Sequence, residues 1–96
     1  MKTNVTFRHF NSQHPNLQEA AKETASHFTK FFENISSADI EFINDEQKIV
    51  ECKVIINKNV LKATGKSDDF HKSLHQVSDK IIRQLDKWKT KHYEKK

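Results

Sequence analysis

The chain has 96 residues, of which 34% are hydrophobic and 31% are charged. Its single Gly and single Pro exclude collagen-like and flexible-linker proteins. Seven Phe, one Trp and one Tyr are enough to form one hydrophobic core. Its apolar runs are too short to span a bilayer, no signal-peptide stretch is present, and Cys52 has no disulfide partner in the chain, so we expect a cytoplasmic protein. The net charge is +4, and its excess lies at the C-terminal end, which suggests an anionic partner, such as nucleic acid or an anionic membrane surface, or else a solvated, frayed C-terminus.

The first two elements are predicted to be a strand and a helix. Residues of Lys2–Phe10 alternate between apolar and polar, which is typical of a strand. Apolar residues then recur at helical spacing over Asn16–Phe32. We predict Asn16, which follows Pro15, as the N-cap of this helix and Asn34 as its C-terminal cap.

Three strands are predicted next, over Ser37–Ile43, Lys48–Asn57 and Val60–Lys66, because apolar and polar residues alternate in each. Polar turns at Asn44–Gln47 and Lys58–Asn59 separate them. Such short connections predict an antiparallel meander.

The last element is predicted to be a long amphipathic helix over Asp68–His92. Its apolar residues are separated by four, three, four, four and three positions, which places them in one stripe about 80° wide. The stripe consists of Phe70, Leu74, Val77, Ile81, Leu85 and Trp88.

These elements predict a two-layer α+β domain of β-α-β-β-β-α order, in which two helices cover one face of a four-stranded sheet. The other face is expected to carry Arg8, Lys53 and Lys62. We predict one domain over residues 1–93, followed by a basic tail at 94–96.

The positive excess of the chain is concentrated at one end, where residues 80–96 contain seven basic and two acidic side chains. At about 100° per residue, three further cations of the last helix fall within about 60° of Lys80, together with Gln84. We call them the cation ridge: Lys80, Arg83, Lys87 and Lys91. Asp79 and Asp86 are expected on the far side of the helix. Such a ridge is suited to the phosphates of a nucleic-acid backbone, contacted without base-sequence readout.

Two other interpretations of the ridge remain open. One is a solvated helix face whose Lys and Arg stems cover the edge of the core. The other is a membrane-surface helix, which is disfavoured because Leu85 and Trp88 are needed to cover the sheet. No set of residues predicts a metal, a cofactor, a small-molecule substrate or catalysis, since His71 and His75 lack a third ligand and Cys52 lacks a base.

Several segments of the chain resemble the ribosome hibernation-promoting factor family, most specifically the stretch DKIIRQLDKWKTK at residues 79–91. The segments FFENI at 31–35 and ATGKSDDF at 63–70 are also similar in order and spacing. The resemblance implies a fold similar to double-stranded-RNA-binding domains with an added strand. It also implies binding to the small ribosomal subunit and its rRNA in the mRNA/tRNA channel, which inhibits translation and preserves idle ribosomes in stationary phase or stress.

The same resemblance implies that Lys80, Arg83, Lys87, Lys89 and Lys91 contact ribosomal RNA, although Lys89 lies outside the cation ridge. The family usually has cations at the positions of Thr24 and His27. We therefore include His27 among the expected RNA-binding residues, and it is expected to add charge near RNA at mildly acidic pH. The family's long members have a further C-terminal domain that pairs two ribosomes, so we interpret this chain as the short type. The alternatives are a generic double-stranded-RNA-binding module and a protein-interaction domain with a solubilising basic tail.

Overall fold

The computed structural model describes residues 2–11 and 14–93, apart from the side chains of residues 31 and 90–93. Its elements follow the predicted β-α-β-β-β-α order. They are β1 (Lys2–Arg8), α1 (Pro15–Phe31), β2 (Ile35–Asn44), β3 (Lys48–Ile56), β4 (Asn59–Ser67) and α2 (Phe70–Tyr93). In the described part of the chain, neither helix has the length and apolar content needed to cross a membrane.

The four strands form one sheet in the order β1-β2-β3-β4. β1 pairs with β2 in parallel, and the connection between them is α1. The pairs β2–β3 and β3–β4 are antiparallel, which confirms the predicted meander. α1 packs on β1 and β2, α2 packs on β3 and β4, and the helices contact each other. The predicted two-layer α+β fold is therefore confirmed.

Alternation along the strands sends one set of side chains into the core between sheet and helices. The buried set includes Ile40, Phe42, Val50 and Val54 from the sheet, and they meet Phe28 of α1. The core also contains five residues of the predicted α2 stripe, with the sixth, Phe70, partly buried against it. These five are Leu74, Val77, Ile81, Leu85 and Trp88. The periodicity thus identified the buried face of α2 correctly.

Both predicted caps of α1 are wrong by two positions. The N-cap is His14, with Pro15 in the first turn, where its missing N–H costs nothing because the first helical amides have no partner inside the helix. Asn16 is therefore already helical. The C-cap is Phe32, whose N–H donates to the Phe28 carbonyl at 3.0 Å. Asn34 has a φ of 73° and turns the chain into β2.

The hairpin between β3 and β4 is one residue earlier than predicted. Asn57 and Lys58, rather than Lys58 and Asn59, form its loop, since Ile56 pairs directly with Asn59. Both loop residues have positive φ values, 49° and 69°. This is the two-residue turn whose twist matches that of antiparallel strands.

Gly65 lies inside β4, where α2 passes unusually close to the sheet. Its φ is not in the left-handed region, so the position does not need the conformational freedom of glycine. A Cβ at this position would lie 2.3 Å from the carbonyl oxygen of Ser73 and 3.1 Å from Cγ2 of Val77. The absence of a side chain therefore lets α2 lie directly on β4.

Candidate nucleic-acid interface

α2 lies along the outer edge of β4 and is attached to it by three side chains. The Gln84 amide nitrogen donates to the Lys62 carbonyl at 2.7 Å, and Lys80 Nζ donates to the Thr64 carbonyl at 2.6 Å. The Lys66 amide donates to Gln76 Oε1 at 3.1 Å. We call Gln76, Lys80 and Gln84 the β4 clamp.

The β4 clamp results from a match between two periodicities. Its side chains are four residues apart, which is about 6 Å along a helix. The strand groups that they bind are two residues apart, which is about 6.6 Å along a strand. Since β4 is the last strand of the sheet, these hydrogen bonds satisfy backbone groups that no neighbouring strand reaches. Sequence reasoning missed Gln76, although its spacing from Lys80 was the available signal.

Lys80 therefore has a structural contact as well as a charge. Its side chain is exposed, and one of the three ammonium donors is used by the Thr64 carbonyl. Two donors of this exposed ammonium remain for another partner. Lys80 thus belongs to the predicted cation ridge, but its ammonium is held at the sheet edge instead of projecting freely from the helix.

Arg83 is exposed on the same flank and forms an ion pair with Asp79 at 3.2 Å. The expectation that Asp79 lies on the far side of the helix is wrong, because residues four apart are only about 40° apart around the helix. Both side chains are mostly exposed, at 76% for Arg83 and 58% for Asp79. Such surface pairs contribute about 0–1 kcal/mol, so a stronger anion can displace Asp79.

The remaining predicted cations differ in their surroundings. Lys87 is exposed, and within the described residues it has no hydrogen bond or ion pair. Lys89 lies on the opposite flank of α2, with its Nζ 5.8 Å from the centroid of the Phe32 ring. It is therefore outside the ridge, as its helical angle predicted, and is held near the end of α1 by a cation–π contact. The side chain of Lys91 lies outside the described residues.

His27 is exposed on α1 and does not belong to the α2 flank. Lys80, Arg83 and Lys87 are therefore exposed cations within about two turns of α2, whereas Lys89 lies beside Phe32 and His27 lies on α1. His71 and His75 are exposed on α2, and no group of three metal-ligating side chains occurs among the described residues.

The open face of the sheet carries Arg8, Lys53 and Lys62, as predicted, and all three are exposed. Arg8 donates two hydrogen bonds to the carboxylate of Glu41, at 2.9 and 3.2 Å. This hydrogen bonding and the charge of Glu41 raise the pKa of Arg8 above its ordinary value. Lys53 lies 3.9 Å from Asp39. Two cations of this face are therefore paired with carboxylates of β2.

Cys52 faces the core and is buried, as predicted. Burial, followed by the negative charge of Asp39, raises the pKa of its thiol to about 12. The thiolate is the reactive form of cysteine, so this thiol is unreactive at neutral pH. Cys52 has a packing role in the core.

Comparisons with known proteins agree with this architecture. A ribosome hibernation promotion factor from Picosynechococcus sp. (strain ATCC 27264 / PCC 7002 / PR-6) is 38% identical over 80 residues, which are 83% of this chain. The chain spans about 41% of the length of that relative. A ribosomal subunit interface protein from Coxiella burnetii has a similar structure, with a TM-score of 0.85 and 25% identity over 94% of this chain and 99% of that one.

The N-terminal domain of Thermus thermophilus Protein Y has the same fold, with a TM-score of 0.81 at 8% identity over 92% of this chain and 99% of that one. A family model described as "Sigma 54 modulation protein / S30EA ribosomal protein" matches residues 3–93. This match covers every element from β1 to α2 except the first residue of β1. The chain therefore belongs to the S30EA ribosomal protein family.

Proposed function

We propose that this protein is a cytoplasmic, non-catalytic ribosome-binding factor. It binds the small ribosomal subunit in the mRNA/tRNA channel, inhibits translation and preserves idle ribosomes in stationary phase or stress. The observation that carries the proposal is an exposed row of cations, Lys80, Arg83 and Lys87, on a helix fixed to a rigid sheet in a chain of the S30EA family. Membership of the family and the named relatives support the ribosome as the partner.

The proposed mechanism is steric occlusion by a preformed surface. α2 is held by its buried stripe and by the β4 clamp, so the helix that carries the exposed cations is already ordered before binding. Each rRNA phosphate that a cation neutralises releases counterions, which makes binding tighten as the salt concentration falls. The hydrogen bonds to phosphates position the domain without reading a base sequence. A folded domain held in this way excludes mRNA and tRNA from the same channel.

The test of the RNA-binding surface is the variant Arg83→Glu/Lys87→Glu, compared with Lys2→Glu/Lys22→Glu as the control of equal charge change. Lys2 lies on β1 and Lys22 on α1, and both are exposed. In sucrose gradients of purified ribosomal subunits, we expect the wild type and the control to migrate with the small subunit. The ridge variant is expected in the free fraction. Migration of the ridge variant with the small subunit at physiological salt contradicts the assignment.

The location in the channel is tested by competition. Small subunits loaded beforehand with mRNA and tRNA are expected to bind the protein much more weakly than empty subunits. Equal binding to loaded and empty subunits contradicts the channel. Migration only with protein-free RNA would favour the generic double-stranded-RNA-binding module, and migration with neither ribosome nor RNA would favour a protein-interaction domain.

A further inference from the structure

The edge of the sheet beside the cation ridge carries two lysines that the sequence analysis did not connect with it. Lys62 and Lys66 lie on β4, with exposed side chains on the open face of the sheet. We call them the rim lysines. Within the described residues, neither side chain has a hydrogen bond or ion pair, whereas Lys53 on the neighbouring strand lies 3.9 Å from Asp39.

The β4 clamp places the rim lysines next to the ridge. Gln84, which binds the Lys62 carbonyl, lies in the helical turn that also carries Arg83 and Lys87. Gln76 binds the Lys66 amide and lies one turn before Lys80. β4 and α2 therefore run side by side in opposite directions, and cations from both elements line the same edge.

The chemistry of this edge selects the class of partner. The carbonyls of Lys62 and Thr64 are already occupied by clamp side chains, so β4 is closed to pairing with a further strand at these positions. The exposed groups at this edge are ammonium and guanidinium cations, and the two rim lysines are about 13 Å apart along β4. In the β3–β4 register, Glu51 is paired with Thr64, which lies between the two rim lysines. Within the described residues, Glu51 forms no ion pair with either rim lysine. A chain of regularly spaced anions fits this arrangement.

We propose that Lys62 and Lys66 extend the ridge into a two-element surface that binds RNA phosphates from the open side of the sheet edge. This inference rests on the proposed function, since the RNA is that of the small ribosomal subunit. The RNA backbone lies over the seam where the β4 clamp joins α2 to β4, and the clamp keeps the two sets of cations at a fixed separation. Gln76 and Gln84 are positioning residues for this surface, whereas Lys80 supplies both a cation and a clamp contact.

The experiment measures the affinity for purified small subunits as a function of salt concentration. The variant Lys62→Gln/Lys66→Gln removes two unpaired charges, and the control Lys53→Gln/Lys72→Gln removes two charges that are already paired with Asp39 and Asp68. Each lost phosphate contact lowers the slope of log affinity against log salt by about 0.7–0.9. Loss of two contacts therefore predicts roughly ten- to thirtyfold weaker binding near 0.15 M salt and a slope lower by about 1.4–1.8.

The control and the variant Lys62→Arg/Lys66→Arg are expected to bind with the wild-type slope. Thermal unfolding checks that all variants remain folded. A rim variant that behaves as the control overturns the rim assignment and leaves the proposed function intact, provided that Arg83→Glu/Lys87→Glu still abolishes binding. Weaker binding with an unchanged slope also overturns it, because the contact then does not involve phosphates. Failure of the wild type to bind small subunits overturns the proposed function itself.

Discussion

Replacement of Gly65 by Ala tests the closest contact between sheet and helix. The new Cβ would lie 2.3 Å from the Ser73 carbonyl oxygen, and Cβ atoms do not approach heavy atoms to less than 3.0 Å. Because the obstacle is backbone, no side-chain rotation relieves the clash. α2 has to move away from β4 by about 0.7 Å. The bond from the Lys66 amide to Gln76, now 3.1 Å, is then strained or broken.

The expected cost follows from these changes. Separating the facing surfaces of α2 and β4 by about 0.5–1 Å removes a quarter to a half of the dispersion energy between them. Overpacking of this kind costs about 1–3 kcal/mol, and a lost hydrogen bond adds about 0.5–1.5 kcal/mol. The lower entropy of the unfolded chain with Ala returns about 0.4–1 kcal/mol. We therefore expect Gly65→Ala to reduce the free energy of unfolding by about 0.5–4 kcal/mol, with a central value of about 2 kcal/mol.

Urea unfolding followed by circular dichroism measures this change, and thermal unfolding gives a second estimate. For a domain of this size, each kcal/mol lowers Tm by about 4–8 °C. Thr64→Ala is the matched control, because Thr64 is the neighbouring residue of β4 and its side chain faces away from α2. The control is expected to cost less than about 1 kcal/mol. A loss below about 0.5 kcal/mol for Gly65→Ala would refute the argument from close approach.

Two further predictions concern the core. Leu85→Ala is expected to reduce the free energy of unfolding by about 2–5 kcal/mol, since Leu85 is fully buried under the sheet. The control Lys87→Ala is expected to reduce it by less than about 0.5 kcal/mol. Comparable losses for the two variants in urea unfolding would contradict the orientation of α2. The second concerns Cys52, whose pKa of about 12 in the folded state lies above its ordinary value of 9.0. The unfolded state therefore releases this proton first, and the stability contributed by the neutral thiol is present below pH 9 and is lost as the pH rises toward 12. Cys52→Val is expected to lose stability less steeply than the wild type between pH 8 and pH 10, and identical pH profiles of the two proteins would contradict the burial of the thiol.

The β4 clamp also changes how the predicted RNA-binding residues are interpreted. Helical angles alone treat Lys80, Arg83 and Lys87 as equivalent members of one row. In the structure, Lys80 is bound to the sheet edge, Arg83 is paired with Asp79, and Lys87 has neither kind of contact in the described residues. Substitutions at these positions are therefore not interchangeable: Arg83 and Lys87 test the charge of the surface, whereas Lys80 also affects the attachment of α2.

The sequence was sufficient for the features that depend on local periodicity. Apolar alternation identified the strands, and the spacing from Leu74 to Trp88 identified the buried stripe of α2, because these patterns repeat within one element. The Arg83–Asp79 pair was also within reach, since it connects residues four apart in a helix. The caps of α1 were each missed by two residues, because several neighbouring polar residues and one Pro are compatible with a helix end.

Tertiary structure decided the features that connect distant parts of the chain. The contact of Lys80 with Thr64 and the contact of Lys89 with Phe32 depend on how α2 is placed against β4 and α1. The role of Gly65 likewise appears only when the backbone of α2 is beside it. The periodicity of a sequence shows which face of its own helix or strand a side chain lies on. It does not show which other helix or strand that face contacts. Packing of the helices on the sheet supplies that information, because the helix positions are set by the whole core.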